Sequence, residues 1–182
     1  MTGTAGGAET DLVRRLAAKD EIRDLAMRYA LAMDTRDERL MLSLWSDSSP
    51  GLSFPDLDLH VIRDAVIPSW ASRGPSVMVV SNHIVDLHDL QSAEGTVYCL
   101  VRIELGGRLV EQQVAYLDRY VRGEHGWQFL SRRHLLAFGI AWSENPFAAE
   151  PANWPRRQTG RGELWDLLAQ RHPLVMSTAN RA

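Results

Sequence analysis

Apolar residues change their spacing along the chain, and the changes mark its elements. Over residues 12–33 they recur three and four apart. Ile22, Leu25, Ala26, Tyr29, Ala30 and Met33 form one stripe, the pattern of an amphipathic helix. Arg14, Arg15, Lys19, Arg23 and Arg28 fall largely off that stripe, and Asp34 lies at its flank. Thr35-Arg36-Asp37 interrupts the pattern. Asp37 is placed to cap a second, short helix over 38–45 that buries Leu40, Met41, Leu44 and Trp45. Residues 46–55, rich in Ser, Pro and Gly, read as a loop with room for a short strand at 52–54. Asp58 caps a third helix over 60–70, which Pro68 ends or kinks.

From residue 76 onward the pattern turns to β. Four runs follow one another: VMVVSNHIVDL, TVYCLVRIEL, LVEQQVAYLDRYV and WQFLSRRHLLAF. The breaks between them are HDLQSAEG, Gly106-Gly107 and RGEHG. Such spacing predicts a meander of antiparallel strands joined by hairpins. The last two runs exceed the usual strand of about 5–6 residues, and strands that long bend or bulge. A curved sheet with a concave face is the expectation. Trp127, Phe129, Leu135 and Ala137 share one parity; Leu130, Leu136 and Phe138 share the other. A hairpin apolar on both sides is covered on both: here by the chain's own helices and by a partner subunit. The tail GIAWSENPFAAEPANWPRRQTGRG carries too many large aromatics for a plain disordered tail and reads as an ordered strap, followed by a short helix over 163–170. The fold class is α+β, a curved antiparallel sheet of about four to six strands with three N-terminal helices enclosing a cavity. Residues 1–9 are expected to be a disordered lead, 10–142 one domain and 143–182 the strap.

Composition narrows the functional classes. A length of 182 residues, 45% of them apolar and 24% charged, suits one soluble domain with a sizeable core. The net charge is −3, with no block of five like charges, which argues against nucleic acid or an anionic membrane as partner. No apolar run approaches 18 residues, so no membrane span is expected. The start MTGTAGGAET lacks the signature of a secretory signal, and the expected compartment is the cytoplasm. Cys99 is the one cysteine and reads as a buried inert thiol. His83 and His88 are five apart on a strand, and no HxH or HExxH pattern exists, so no metal is expected. Gly106-Gly107 reads as a turn, and neither a GxSxG elbow nor a dinucleotide fingerprint is present. No cofactor is expected.

Four segments occur in an order that carries a likeness: DEIRDLAMRYALAMDTRD, SNHIVDL, EGTVYCLV and VAYLDRYVRGEHGWQFLSRRHLLAFG. Together they resemble the SnoaL-like branch of the nuclear-transport-factor-2-like superfamily over about residues 12–142, and PANWP followed by TGRG resembles the end of some bacterial members. The resemblance implies a cone-shaped α+β barrel with a deep apolar cavity, assembled as a homo-oligomer, a dimer or trimer. This fold hosts enzymes and binders alike. Scytalone dehydratase, hexachlorocyclohexane dehydrochlorinase and bile-acid 7α-dehydratase are cofactor-independent lyases of this kind. They share an Asp near the end of the first helix and a His on the strand after the third. Asp34 and His83 match those places, and Tyr29 matches a tyrosine on the helix before the Asp. A second register is open: taking Asn82 as an Asn that the family often carries on this strand puts Met78 at the base position.

The resemblance thus implies an Asp-His dyad. His83 removes a proton beside a carbonyl or leaving group, Asp34 orients it, and Tyr29 donates to developing negative charge. Arg133 is the expected substrate-binding cation and His134 a second cavity histidine. Phe54, Trp70, Phe138 and Trp142 are expected to wall the pocket. Structural roles stand beside each of these: Asp34 starting a turn, His83 hydrogen-bonded at a subunit contact, Tyr29 in the core, and an arginine of 132–133 paired with Asp118 or Glu111. The function implied is a cofactor-independent lyase (dehydratase) or isomerase acting on a small apolar oxygenated substrate. A polyketide cyclase of the SnoaL type and a non-catalytic ligand-binding or assembly module are the alternatives.

Overall fold

The computed structural model describes residues 5–153 and 155–164. Helix α1 spans Ala5–Thr35 and buries all six residues of the expected stripe. It opens at Ala5 and not at residue 12, so 5–9 are helical where a disordered lead was expected; Ala5, Ala8 and Glu9 are good helix formers there. Its end is built by Arg36, whose backbone turns left-handed (φ 57°) and whose guanidinium donates to the carbonyls of Met33 (2.9 Å) and Gly74 (2.6 Å). That satisfies a carbonyl the helix end leaves without an intrahelical partner. Helix α2, Glu38–Ser43, is capped as expected: the Asp37 carboxylate accepts from the Leu40 amide at 2.8 Å.

The third helical segment, residues 59–72, is likewise capped by Asp58, which accepts from the Val61 amide at 3.1 Å. It begins as α-helix at Leu59–Val61, widens to a π turn over Ile62–Val66, and narrows to a 3-10 turn at Trp70–Ser72. Pro68 lacks an N–H, so the chain kinks and continues instead of stopping. All three N-terminal helices are therefore present.

Five antiparallel strands form one sheet in the order β1-β5-β4-β3-β2. Their ranges are β1 Asp56–Leu57, β2 Ser76–Leu87, β3 Ser92–Leu105, β4 Arg108–Gly123 and β5 Gly126–Ala141. The short strand falls at 56–57 and not at 52–54, because Asp56 and Leu57 are the residues that pair with Arg133 and Arg132 of β5. Gly106 and Gly107 both adopt positive φ (58° and 78°) between β3 and β4, the demand of a two-residue type I′ hairpin. The long strands do bulge. Register shifts fall between Val80 and His83 of β2 and at two places along β4 and β5. The sheet curves without closing into a barrel.

The inner, concave face packs on α1 and on the third helical segment. Ile22, Tyr29, Met41, Trp45, Ile62 and Phe129 lie in one buried cluster; Ala26, Val97, Cys99 and Val114 lie in a second. Burial pushes the Cys99 thiol up to about 12, as an inert core thiol requires. The outer face keeps Ile84, Tyr98 and Leu117 exposed. After β5 the strap turns back. Asn145 donates to the Gly107 carbonyl at 3.2 Å, and short bridges join Pro151 to Arg161 and Asn153 to Arg157. Most of the expected helix over 163–170 lies outside the described residues. Among those residues no helix is long and apolar enough to cross a membrane.

Candidate functional site

A cavity of about 210 Å³ opens between α1, the third helical segment and the concave face of the sheet. Met33, Leu57, Val66, Val101 and Ile103 make its walls apolar. Its polar groups are few: Tyr29, Arg73, Ser76, Gln112, Tyr116 and His134. Few polar groups converging on an apolar hollow is the usual anatomy of a small-molecule site. Of the expected lining, Phe54, Tyr29 and His134 are in it.

Asp34 stands behind one wall. Its carboxylate accepts from Ser76 Oγ at 3.1 Å and from the Met78 amide at 3.0 Å, and both residues line the cavity. Burial outweighs those two bonds and the nearby Arg36, pushing the Asp34 carboxyl up to about 7. Near neutral pH it is therefore about half protonated.

His134 projects inward from β5, its ring 5.2 Å from that of Tyr116. Its Nε2 is enclosed and has no hydrogen-bond partner among the described residues. Burial, with Arg132 and Arg73 adding repulsion, holds the imidazole below its usual pKa of 6.5, so it is neutral at pH 7. Burial likewise raises the Tyr29 and Tyr116 hydroxyls, which stay protonated.

His83 is not part of this arrangement, and the expected Asp34–His83 pair is not formed. Along β2, Ser76, Met78 and Val80 face inward. The bulge then sets Ser81 and Asn82 against Tyr98 alone, since Val80 pairs with Cys99 and His83 with Val97. That extra residue turns His83 back to the inner face. It lands five residues beyond Met78 but, because of the bulge, four positions along the partner strand, from Val101 to Val97, roughly 13 Å at about 3.3 Å per residue. Ser76 and Met78 are thus the β2 residues beside Asp34.

At His83 a closed chain of polar groups begins. Arg132 grips Asp118 with two bonds of 2.7 Å, and both side chains are buried. Tyr120 donates to the same carboxylate at 2.7 Å. The Tyr120 oxygen lies 3.0 Å from His83 Nε2. Since the hydroxyl proton is already given to Asp118, His83 Nε2–H must be the donor in that contact. Burial lowers the His83 pKa to about 4, so this histidine is neutral as well. The Arg132 guanidinium also lies 4.2–4.4 Å from the ring centres of Tyr29, Tyr116 and Phe129, a desolvated cation among aromatic faces.

Arg132 and His134 share the inner face, so Arg133 points outward, 3.6 Å from Asp56 and largely exposed. It cannot bind a ligand in the cavity. Trp70 is buried in the core with Arg36 over its ring at 5.7 Å. Phe138, on the exposed end of β5, and Trp142, just after that strand, lie beyond the cavity; Trp142 instead lines a surface groove with Leu109 and Asn145. These three do not wall the cavity. Tyr116, Gln112 and Arg73 line it without having been expected there. A signal for Tyr116 does exist in the sequence, because it shares strand parity with Asp118 and Tyr120. Among the described residues, no three His, Cys, Asp or Glu side chains converge as a metal site would need.

Known structures match this architecture at low identity. The hexachlorocyclohexane dehydrochlorinase LinA-type3 of Novosphingobium barchaimii aligns with TM-score 0.61 at 17% identity, covering 73% of this chain and 95% of its own. A scytalone dehydratase-like protein of Novosphingobium aromaticivorans aligns at 0.64 and 12%, covering 74% and 93%. An NTF2-like protein with a cystatin-like fold from the same species aligns at 0.57 and 17%, covering 75% and 92%. At these identities the likeness speaks for fold alone. No curated protein matches the sequence. The family description SnoaL-like domain matches residues 14–133. That match takes in α1 from residue 14, β1 to β4 and β5 as far as Arg133, ending just before His134, and the chain belongs to the SnoaL-like family of the NTF2-like superfamily.

Proposed function

We propose that the protein is a cofactor-independent lyase or isomerase that removes a proton from a small, largely apolar oxygenated substrate held in the cavity. The observation that carries this reading is His134. It is a neutral imidazole lining an apolar hollow, with an enclosed ring nitrogen that no described residue occupies. His83 Nδ1 is likewise enclosed without a partner, but of the two histidines His134 is the one that lines the cavity, and a base awaiting its substrate fits that place. In this reading His134 takes the proton. Tyr29 and Tyr116 donate hydrogen bonds to the oxygen on which charge develops. Asp34, half protonated near pH 7, returns a proton to the leaving group through the Ser76 hydroxyl. The base is thereby moved from His83 to His134, while Asp34 and Tyr29 keep places in the mechanism.

Dehydration and dehydrohalogenation, the reactions named for two of the structural relatives, both fit proton abstraction followed by loss of a β-leaving group. The test does not require the natural substrate. A panel of small β-hydroxy and β-halo carbonyl compounds is incubated in D₂O, and carbon-bound deuterium and new double bonds are followed by NMR. Exchange or elimination is expected from the wild type, and His134→Gln is expected to slow it by about 10²–10⁴-fold. Full activity in His134→Gln would remove the base from this reading.

The exposed apolar residues of the outer face, Ile84, Tyr98 and Leu117, are part of the same proposal: they fit contact with a second copy of the chain. Light scattering tests this, with a mass above the 20.5 kDa monomer expected.

A further inference from the structure

The cavity also carries a charge that the proton-transfer reading leaves unused. Arg73 sits on the turn between the 3-10 turn Trp70–Ser72 and β2, with its backbone extended (φ −112°, ψ 135°). Its side chain is half-buried and lines the cavity. Among the described residues no carboxylate pairs with it, whereas the other cations nearby are already engaged. Arg132 is neutralised by Asp118. Arg36 spends its guanidinium on two backbone carbonyls and the Trp70 ring. Asp34, an acid behind the wall, is only about half ionised at neutral pH and is already held by Ser76 and Met78; Glu104, whose side chain lies beside Gly74, forms no ion pair with Arg73. A cation half out of water beside apolar walls is costly unless something anionic meets it.

We propose that Arg73 anchors a carboxylate of the substrate, so that the substrate class is a small apolar monocarboxylic acid whose acid end lies at Arg73 and whose reacting carbon lies toward His134. This inference rests on the reading of the cavity as a substrate site and deepens it. A guanidinium binds a carboxylate through two parallel N–H···O bonds, and Gln112, which also lines the cavity, carries a further donor. One cation suits a single negative charge; a doubly charged phosphate group would want a second cation, and Arg73 is the one cation among the described residues that line this cavity. The volume of about 210 Å³ sets the scale of the molecule. The arrangement also couples anchor to base. Arg73 is among the charges that hold down the His134 pKa, so a carboxylate that neutralises Arg73 raises that pKa and makes the imidazole a stronger base once substrate is bound. The other groups that face His134, namely Arg132, Tyr29 and Tyr116, do not change charge on such binding.

The test compares an acid with its neutral twin. Isotopically labelled full-length protein is titrated with cinnamate and with cinnamamide, and the binding constants and the His134 ring titration are read by NMR. The expected result is a preference for cinnamate of at least about tenfold, the worth of ~1.4 kcal/mol. The His134 pKa should rise on saturation with cinnamate. Arg73→Gln should erase both the preference and the rise, while Arg73→Lys should keep part of the preference, as a point charge without the fork. A cooperative melt of Arg73→Gln at the wild-type temperature checks that the fold is intact. Equal binding of acid and amide, a preference that survives in Arg73→Gln, or no binding of either compound would overturn the inference. None of these outcomes touches the role of His134, which is judged separately by deuterium exchange in His134→Gln. Loss of that exchange alongside equal acid and amide binding would sink the anchor and spare the base.

Discussion

Two histidines face the same concave surface and do different work. His83 ends a chain of four polar side chains, from Arg132 through Asp118 and Tyr120. Its Nε2–H is committed to Tyr120, and its Nδ1 is enclosed, without a hydrogen-bond partner among the described residues, and off the cavity. His134, at the other end of the face, lines the hollow and keeps a nitrogen for a ligand. Both are neutral at pH 7, and burial is the first cause in both. Protonation state therefore does not separate structure from chemistry here. Each ring also keeps one enclosed nitrogen without a partner among the described residues, His83 Nδ1 and His134 Nε2. What separates them is place: His134 lines the cavity and His83 does not.

The largest effect is expected from cutting the closed chain at its anchor. Arg132 is fully buried and owes its charge to Asp118. Asp118→Ala leaves a guanidinium among three aromatic rings with no counter-ion. Removing one partner of a buried pair costs about 3–5 kcal/mol, and urea unfolding should show a loss of that size. A loss below about 1 kcal/mol would mean that the rings alone hold the cation, and the polar chain ending at His83 would lose its structural role. His134→Gln is expected to do the reverse: turnover falls by about 10²–10⁴-fold, while the melting temperature stays near that of the wild type.

Most of the fold was legible in the sequence. Six stripe residues of α1, two Asp caps and three hairpin breaks each obey a local rule, and local rules can be read from one chain. Long strands announced their bulges through length alone. The bulges' positions were not legible, and the site depends on them. One extra residue at Ser81-Asn82 turns His83 inward and sets it well beyond Asp34, so a separation in sequence that matched the family failed as a separation in space. Parity did predict that Arg132 and His134 share a face; the error lay in giving the cavity to Arg133. Nothing in the sequence distinguished an inward arginine paired with Asp118 from one awaiting a ligand.

A middle-sized effect separates Asp34 from ordinary surface acids. Its folded pKa, about 7, lies above the ordinary aspartate value of 3.8, so between those values the folded state binds more protons than the unfolded state. Stability from this group is thus fully present below about pH 4 and lost as pH rises toward 7. Asp34→Asn, which can still accept from the Met78 amide, should gain on the wild type by on the order of 2–3 kcal/mol between pH 5 and pH 8. Paired melts at the two pH values measure it. The alkaline limb of turnover should fall near 7 in the wild type and be absent in the variant; an unmoved limb would take the proton-return step away from Asp34.

The smallest effect runs the other way and tests His83 as a structural group. Its folded pKa of about 4 lies below the ordinary histidine value of 6.5. Between those values the unfolded chain binds the extra proton, so the contribution is fully present above about pH 6.5 and lost as pH falls toward 4. Protonating the ring would also place a positive charge in the field of Arg132, which already opposes it. Replacing His83 by Gln keeps a donor for the Tyr120 oxygen and removes the titration. Acid unfolding of His83→Gln should therefore be shallower between pH 6.5 and 4, by about 1–2 kcal/mol once the partial exposure of the ring is discounted. Turnover at pH 7.5 should stay within about threefold of the wild type, because the change leaves His134 and the cavity walls untouched. A collapse of turnover with an unchanged acid limb would reverse the assignment of the two histidines, making His83 the group that meets substrate and His134 the one that merely packs against Tyr116.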